Sequence, residues 1–356
     1  MRHRAKPLFE KLRILLSACS VFTGAKSFES NPLIGNAYFN RKGLHLFRIK
    51  LAARLADRYR RSLHRRVAQD RRDQYQNNGF ISVENILPEQ TFQSFRNEIL
   101  RCDWDRQEMN QGGVITRRVW LDSGSLPSSQ QHLQTLIRSE KIKDMIRYVA
   151  GTGGEPVFSL QAIFAGHGRR NDDPQSEFHS DAFHSTAKAW LFLDDVHADQ
   201  GPFSYVPGSH QLTPQRLDWE HEQSCTAADH PIKYHARGSF RATAADLKRM
   251  HYTQPRVFNV RANTLVIANT MGFHRRTPSS HATVRVELYA SLRRNPFSLF
   301  PQLDLLSLPV MRDRIGSIYC SAMTWGNRLL GSKRPWKDAG EGFLQSLPKK
   351  RSRQRS

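Results

Sequence analysis

The stretch FHSDAFHSTAKAWLFLDDVHADQGPFSYVPGSH, residues 178–210, decides how the rest of the chain is read. Near its start stand His179, Ser180 and Asp181. Side chains alternate between faces in an extended segment, so His179 and Asp181 point to the same side and can share one metal ion. Two ligands hold a metal poorly, and the pattern calls for a second imidazole from a distant part of the chain. His274, in the segment NTMGFHRR, is the candidate. Two histidines and one carboxylate on one face of an octahedron leave the opposite positions open, as non-haem Fe(II) requires for a co-substrate and O2.

Outward from this stretch the pattern is one of strands. VFSLQAIFAGHG (157–168), the run 188–196, FSYVPGS (203–209), RVFNVRANTLVIANT (256–270) and TVRVELYASLRR (283–294) are separated by turn-forming Gly, Pro, Asn and Asp. Short strands with long insertions predict an α+β fold, its core a double-stranded β-helix (jelly roll, cupin-like) with flanking helices. Upstream, helices are expected after Pro88, within 125–139 and over 141–149, with a strand at 112–122. A further helix is expected at 213–222, a polar insertion over one barrel mouth at 223–255, and closing helices within 301–330.

The formal net charge of +22 is unevenly spread. Residues 1–72 hold 18 Lys and Arg against 4 acids, and residues 327–356 hold 9 against 2, whereas residues 73–326 hold 27 against 26. The domain expectation is therefore a basic N-terminal extension (1–72), an oxygenase-sized jelly-roll domain (73–326) and a basic, disordered tail (327–356). Within the extension a short helix is expected near 8–16. A longer one follows Gly43, where Leu44, Phe47, Leu51 and Leu55 form an apolar stripe among arginines. Such a helix suits peripheral contact with an anionic membrane, or else packs its stripe on the domain. Nucleic acid ranks below membrane as a partner, because no nucleic-acid module and little aromatic interleaving accompany the basic runs. Cysteines 19, 102, 225 and 320 make no metal spacing and favour a reducing, cytoplasmic setting, at most peripheral on the inner membrane surface. The apolar run 14–18 is too short for an export signal.

Arg285 lies eleven residues after His274 inside TVRVELY, at an odd step that can enter the barrel. Its planar fork could grip the distal carboxylate of a dicarboxylic keto acid such as 2-oxoglutarate. Read singly, Arg285 is equally half of a buried ion pair with Glu287, and His179 a hydrogen-bonded strand histidine. The rival ligands are His184, His197, His210 and His281; His184, five after His179, falls on the opposite strand face.

HSD, KAWLFLDDV, GPFSYVPGSH and GFHRR with Arg285 beyond it together resemble the phytanoyl-CoA dioxygenase family of Fe(II)/2-oxoglutarate oxygenases, over about residues 77–295. The resemblance implies Fe(II) held by His179, Asp181 and His274, with 2-oxoglutarate and O2 as co-substrates. It implies that Arg285 holds the distal carboxylate and that Gln161, on the strand before HSD, touches the keto-acid end; Lys188 is a further candidate for an anion. Where the family often has a small hydroxyl residue two after the distal histidine, this chain has Arg276. A carboxylate at 181 points to hydroxylation or another oxidation rather than halogenation. The expected substrate is a small molecule, lipid or glycan, anionic or membrane-associated, with Arg117, Arg118 and Arg275 at its entrance. The competing expectation is a jelly-roll scaffold that no longer turns over and attaches to an anionic surface through its basic ends.

Overall fold

The computed structural model describes residues 17–166, 173–300, 304–329 and 335–348. The helix expected near 8–16 and the last residues of the basic tail lie outside them. The strands are β1 Phe80–Val83, β2 Asp103–Gln111, β3 Val114–Trp120, β4 Val157–Ala165, β5 Ala187–Phe192, β6 Phe203–Tyr205, β7 Arg256–Val257, β8 Leu265–Asn269, β9 His274–Arg276, β10 Thr283–Leu292 and β11 Lys337–Phe343. Eight of them make one sheet in the order β1-β8-β5-β10-β4-β3-β2-β11, and β7-β6-β9 make a second. Every pairing is antiparallel, giving the double-sheet jelly roll that the strand pattern predicts.

Period-two alternation divides the large sheet. On β10, Val286, Leu288, Ala290 and Leu292 face the main core beneath the helices Glu89–Leu100, Gln131–Arg138 and Glu140–Ala150. Arg285, Glu287 and Tyr289 take the other face. On β4, Leu160, Ala162 and Phe164 join the core while Gln161 pairs with Glu287 across the strands. Trp190, Phe192, Phe203, Tyr205, Phe258 and Tyr289 fill the space between the two sheets. All nine residues of β4 are buried, because both faces of this central strand are covered.

The basic extension does not stand apart. The helix Leu44–Ser62 packs on the domain, and its buried residues are His45, Arg48, Ile49, Ala52, Ala56 and Arg60. This corrects the expected stripe: Phe47 is 52 % exposed. Small residues let the helix approach closely: at Gly151, whose φ is +64°, a Cβ would come within 2.6 Å of the Ala56 Cβ. The two buried arginines act as clamps. Arg48 donates from Nε to the Val21 carbonyl at 2.8 Å and from Nη2 to those of Thr23 and Ala25 at 3.1 and 2.5 Å, beneath the Phe183 ring. Arg48→Met is expected to cost about 3 kcal/mol or more in urea unfolding, since three carbonyls lose their donor. Limited proteolysis should then cut first within 17–36.

The tail is corrected as well. Residues 337–343 extend the sheet by pairing with β2. Arg106 donates to the carbonyls of Gly340, Glu341 and Phe343, and Arg117 to those of Leu344 and Ser346 and to Glu108. Arg117 therefore belongs to the outer face and does not line an entrance. β2 escaped detection because DWDRQEMNQ is polar on both faces.

Three imidazoles are held neutral. Burial pushes His184 and His210 down to about 3, and burial with the neighbouring His230 pushes His235 down to about 4. Each binds fewer protons folded than unfolded, where histidine titrates near 6.5. Their contribution is complete above about pH 6.5 and is lost as the pH falls toward 4. A melting series from pH 8 to 4 should show Tm falling through that window; a flat profile would contradict it.

Candidate metal centre

His179 sits in an isolated antiparallel bridge with His274, each amide donating to the other's carbonyl at 3.0 Å. The bridge adds the 178–181 segment beside β9, placing the two imidazoles 4.4 Å apart between ring centres. The Asp181 amide donates to the Thr270 carbonyl at 2.8 Å, tying the carboxylate to the turn before β9. The donor atoms of His179, Asp181 and His274 lie within 4.8 Å of one another, with Asp181 3.9 Å from His179 Nε2 and 3.7 Å from His274 Nε2.

Hydrogen bonds fix which nitrogen is free. Nδ1 of His179 meets the Glu177 carbonyl at 2.8 Å, and Nδ1 of His274 meets that of Gly272 at 2.9 Å. A carbonyl only accepts, so both Nδ1 atoms carry the proton and both Nε2 atoms present a lone pair. Both Nε2 atoms are buried without a hydrogen-bond partner among the described residues. Burial, reinforced for His179 by the second imidazole, pushes His179 well below its usual range, and burial pushes His274 down to about 4. Burial would raise Asp181, but Lys188 and the two imidazoles outweigh it and hold the carboxyl well below the usual range. Two unprotonated, unpartnered imidazoles facing an ionised carboxylate form a donor set that fits iron.

Lys188 donates to one Asp181 oxygen at 2.6 Å, so it braces the carboxylate. Sequence reasoning missed Lys26, whose Nζ donates to the Asp181 backbone carbonyl at 2.5 Å across 155 residues of chain. No local signal announces such a contact.

A cavity of about 180 Å³ opens beside His274, and Arg285, Gln161 and Lys188 all line it. Arg285 donates from Nε to Glu287 at 3.0 Å and from Nη1 to the Gly201 carbonyl at 2.8 Å. Both readings of this arginine thus coexist: it is ion-paired and it borders the cavity. Gln161 donates to Glu287 and accepts from Arg118 at 2.8 and 2.9 Å. Arg118 lies 4.1 Å from the Tyr289 ring, Arg276 pairs with Asp173 at 3.2 Å, and Arg275 stacks on Phe178 at 4.3 Å. His184 and His210 stay out of the triad.

Two histidines and a carboxylate at the mouth of a jelly roll define a non-haem metal-dependent oxygenase site. Residues 75–249, just under half of the chain, match the family model Phytanoyl-CoA dioxygenase (PhyH). The match ends before His274, whose place beside His179 comes from the coordinates. No curated protein matches the chain. Among solved structures, the non-haem α-ketoglutarate-dependent epimerase SnoN from nogalamycin biosynthesis is 18 % identical, covering 63 % of this chain and 81 % of its own, at a TM-score of 0.41. The carbocyclase SnoK from the same biosynthesis is 18 % identical over 64 % and 84 % of the two chains, at 0.39. HygX from Streptomyces hygroscopicus, solved with nickel, 2-oxoglutarate and hygromycin B bound, is 15 % identical over 63 % and 86 %, at 0.37.

Proposed function

We propose that this protein is an Fe(II)- and 2-oxoglutarate-dependent dioxygenase that hydroxylates an unactivated C–H bond of an anionic small molecule, lipid or glycan. The observation that carries the reading is the pair of buried, unpartnered Nε2 atoms facing Asp181 beside a cation-lined cavity. His179, Asp181 and His274 would hold iron, which would supply the oxidation that turns 2-oxoglutarate, O2 and the substrate's C–H into succinate, CO2 and the hydroxylated product.

The chain's own residues provide position and dryness. The Glu177 and Gly272 carbonyls hold the imidazoles in one tautomer, and Lys188 fixes Asp181 Oδ2, 3.7 Å from His274 Nε2, while Oδ1 stands 3.9 Å from His179 Nε2. Trp190, Phe192, Phe203 and Tyr289 line the cavity with apolar surface and restrict water. Arg285 presents its remaining guanidinium edge to the distal carboxylate of 2-oxoglutarate, and Gln161 stands by to orient the keto acid. The substrate's negative charge falls to Arg275, which lines the cavity with His274 and whose Nε is buried without a hydrogen-bond partner among the described residues. After the helix Leu44–Ser62 has packed, Lys50, Arg54, Arg58 and Arg61 remain exposed, which supports contact with an anionic surface. No helix among the described residues is long and apolar enough to cross a membrane.

The test is to mix anaerobically purified protein with Fe(II), carboxyl-labelled 2-oxoglutarate and O2. Labelled CO2 release, even uncoupled, is expected, and its absence with candidate anionic substrates present would overturn the assignment. Comparing metabolites of a deletion strain and its parent for the loss of one oxygen atom would then identify the substrate.

A further inference from the structure

A second, larger hollow lies between the helix Leu44–Ser62 and the domain. Its volume is about 630 Å³, and residues of that helix form one wall while Tyr75, Tyr148 and His210 belong to the domain side. It shares no lining residue with the cavity beside His274.

The helix wall carries Lys50, Arg54, Arg60 and Arg61 against a single acid, Asp57. That acid is taken, because Arg60 donates to it at 2.7 Å. Arg60 is otherwise spent on the Tyr148 carbonyl at 2.9 Å and the Ser185 hydroxyl at 2.8 Å. Lys50, Arg54 and Arg61 are left with no ion pair or side-chain hydrogen bond among the described residues. A merely solvated helix face would offset its cations with acids at i±4. Here Lys50 faces Arg54 and Arg54 faces Arg58, like-charge neighbours that each cost the helix about 0.2–0.5 kcal/mol, and the one acid at that spacing, Asp57 four residues before Arg61, is held by Arg60.

The domain side offers an independent sign. His210 lines the hollow; its Nδ1 is buried on the side of Gly79 and has no hydrogen-bond partner among the described residues, so the ring meets the hollow with its other atoms. Burial and the nearby Arg60 keep this imidazole neutral, so it can offer one N–H to an anion without competing for charge. Leu212, Leu217 and Met271 give the same hollow an apolar side.

We infer that the hollow between Leu44–Ser62 and the domain binds an organic phosphate, its oxygens taken by Lys50, Arg54 and Arg61 and by His210, and its apolar part set against Leu212, Leu217 and Met271. A point charge at Lys50 and a planar fork at Arg54, one helical turn apart and about 6 Å along the axis, suit a phosphate or diphosphate group. Arg61, about 10 Å further along, reaches a second anionic group. The phosphate belongs either to a soluble metabolite or to a lipid headgroup. The site is separate from the metal centre, and the inference does not rest on the oxygenase reading.

Two titrations of the full chain separate these sources: inorganic pyrophosphate followed by calorimetry, and co-sedimentation with phosphatidylglycerol vesicles against phosphatidylcholine vesicles. Each is repeated with two triple variants of equal charge loss, Lys50→Gln/Arg54→Gln/Arg61→Gln in the hollow and Arg41→Gln/Arg58→Gln/Arg65→Gln outside it. All six positions are exposed, so both variants are expected to fold. The hollow variant should weaken binding roughly tenfold or more and the outer variant less than about threefold, since a site responds to particular cations and a diffuse field to their number. Pyrophosphate binding with that pattern assigns a soluble phosphate; binding to phosphatidylglycerol alone with the same pattern assigns a lipid headgroup. Equal losses in the two variants would overturn the inference, as would no binding of either probe. Arg275→Gln should leave both titrations unchanged; loss of binding there would move the phosphate to the metal-centre cavity and also overturn it.

Discussion

His274→Ala, His179→Ala or Asp181→Asn is expected to lower metal affinity by more than about 100-fold, because even changes behind the ligands cost 10–100-fold. The reason is geometric. Each imidazole is locked by a carbonyl on Nδ1 and offers an Nε2 that no group among the described residues answers with a hydrogen bond. Removing one donor leaves two ligands, too few to hold a labile divalent ion against water. Titration with Co(II), followed by its visible absorption, reads the loss without turnover. Lys188→Gln makes the informative contrast: it keeps all three donors and removes only the brace on one Asp181 oxygen, so affinity should fall by about 10–100-fold. Retention of Co(II) affinity within about tenfold in His274→Ala would refute a three-ligand centre.

Arg285→Ala should be the second most damaging change. Its partner Glu287 is fully buried, and a buried carboxylate stripped of its cation costs about 3–5 kcal/mol. Glu287→Gln tests the same pair from the other side. Gln161 and Arg285 donate to different oxygens of that carboxylate, and a neutral amide keeps one acceptor oxygen for one of them while freeing the Arg285 charge for a ligand. Glu287→Gln should therefore lose less stability than Arg285→Ala and bind 2-oxoglutarate at least as tightly as wild type, whereas Arg285→Ala should raise the KM for 2-oxoglutarate. Denaturant midpoints and 2-oxoglutarate titrations measure both. Unchanged stability and unchanged KM in Arg285→Ala would dismiss both roles.

Much of the fold is legible because alternation is local. The inward set on β10 (Arg285, Glu287, Tyr289) and its outward partners follow from period two once the strand is recognised. The same logic sets His179 and Asp181 on one side. It fails where a strand has no apolar face, as in β2, and where a strand depends on its docking partners, as in β11 with Arg106 and Arg117. The stripe on Leu44–Ser62 was misplaced for a related reason. Leu44, Phe47, Leu51 and Leu55 looked like the buried side, but close approach favours Ala52 and Ala56, and the guanidiniums of Arg48 and Arg60 are worth burying because backbone carbonyls receive them.

The residue types at 179, 181, 274 and 285, their spacing along strands and the double-sheet architecture are written in the chain, since periodicity and donor chemistry act over a few residues. Convergence is another matter. The bridge between His179 and His274, the contact of Lys26 with Asp181 and that of Arg285 with the Gly201 carbonyl join segments between 84 and 155 residues apart. Only packing decides which buried cation meets which carbonyl or carboxylate, because desolvation makes every unmatched polar group costly and that penalty is levied on the folded molecule as a whole.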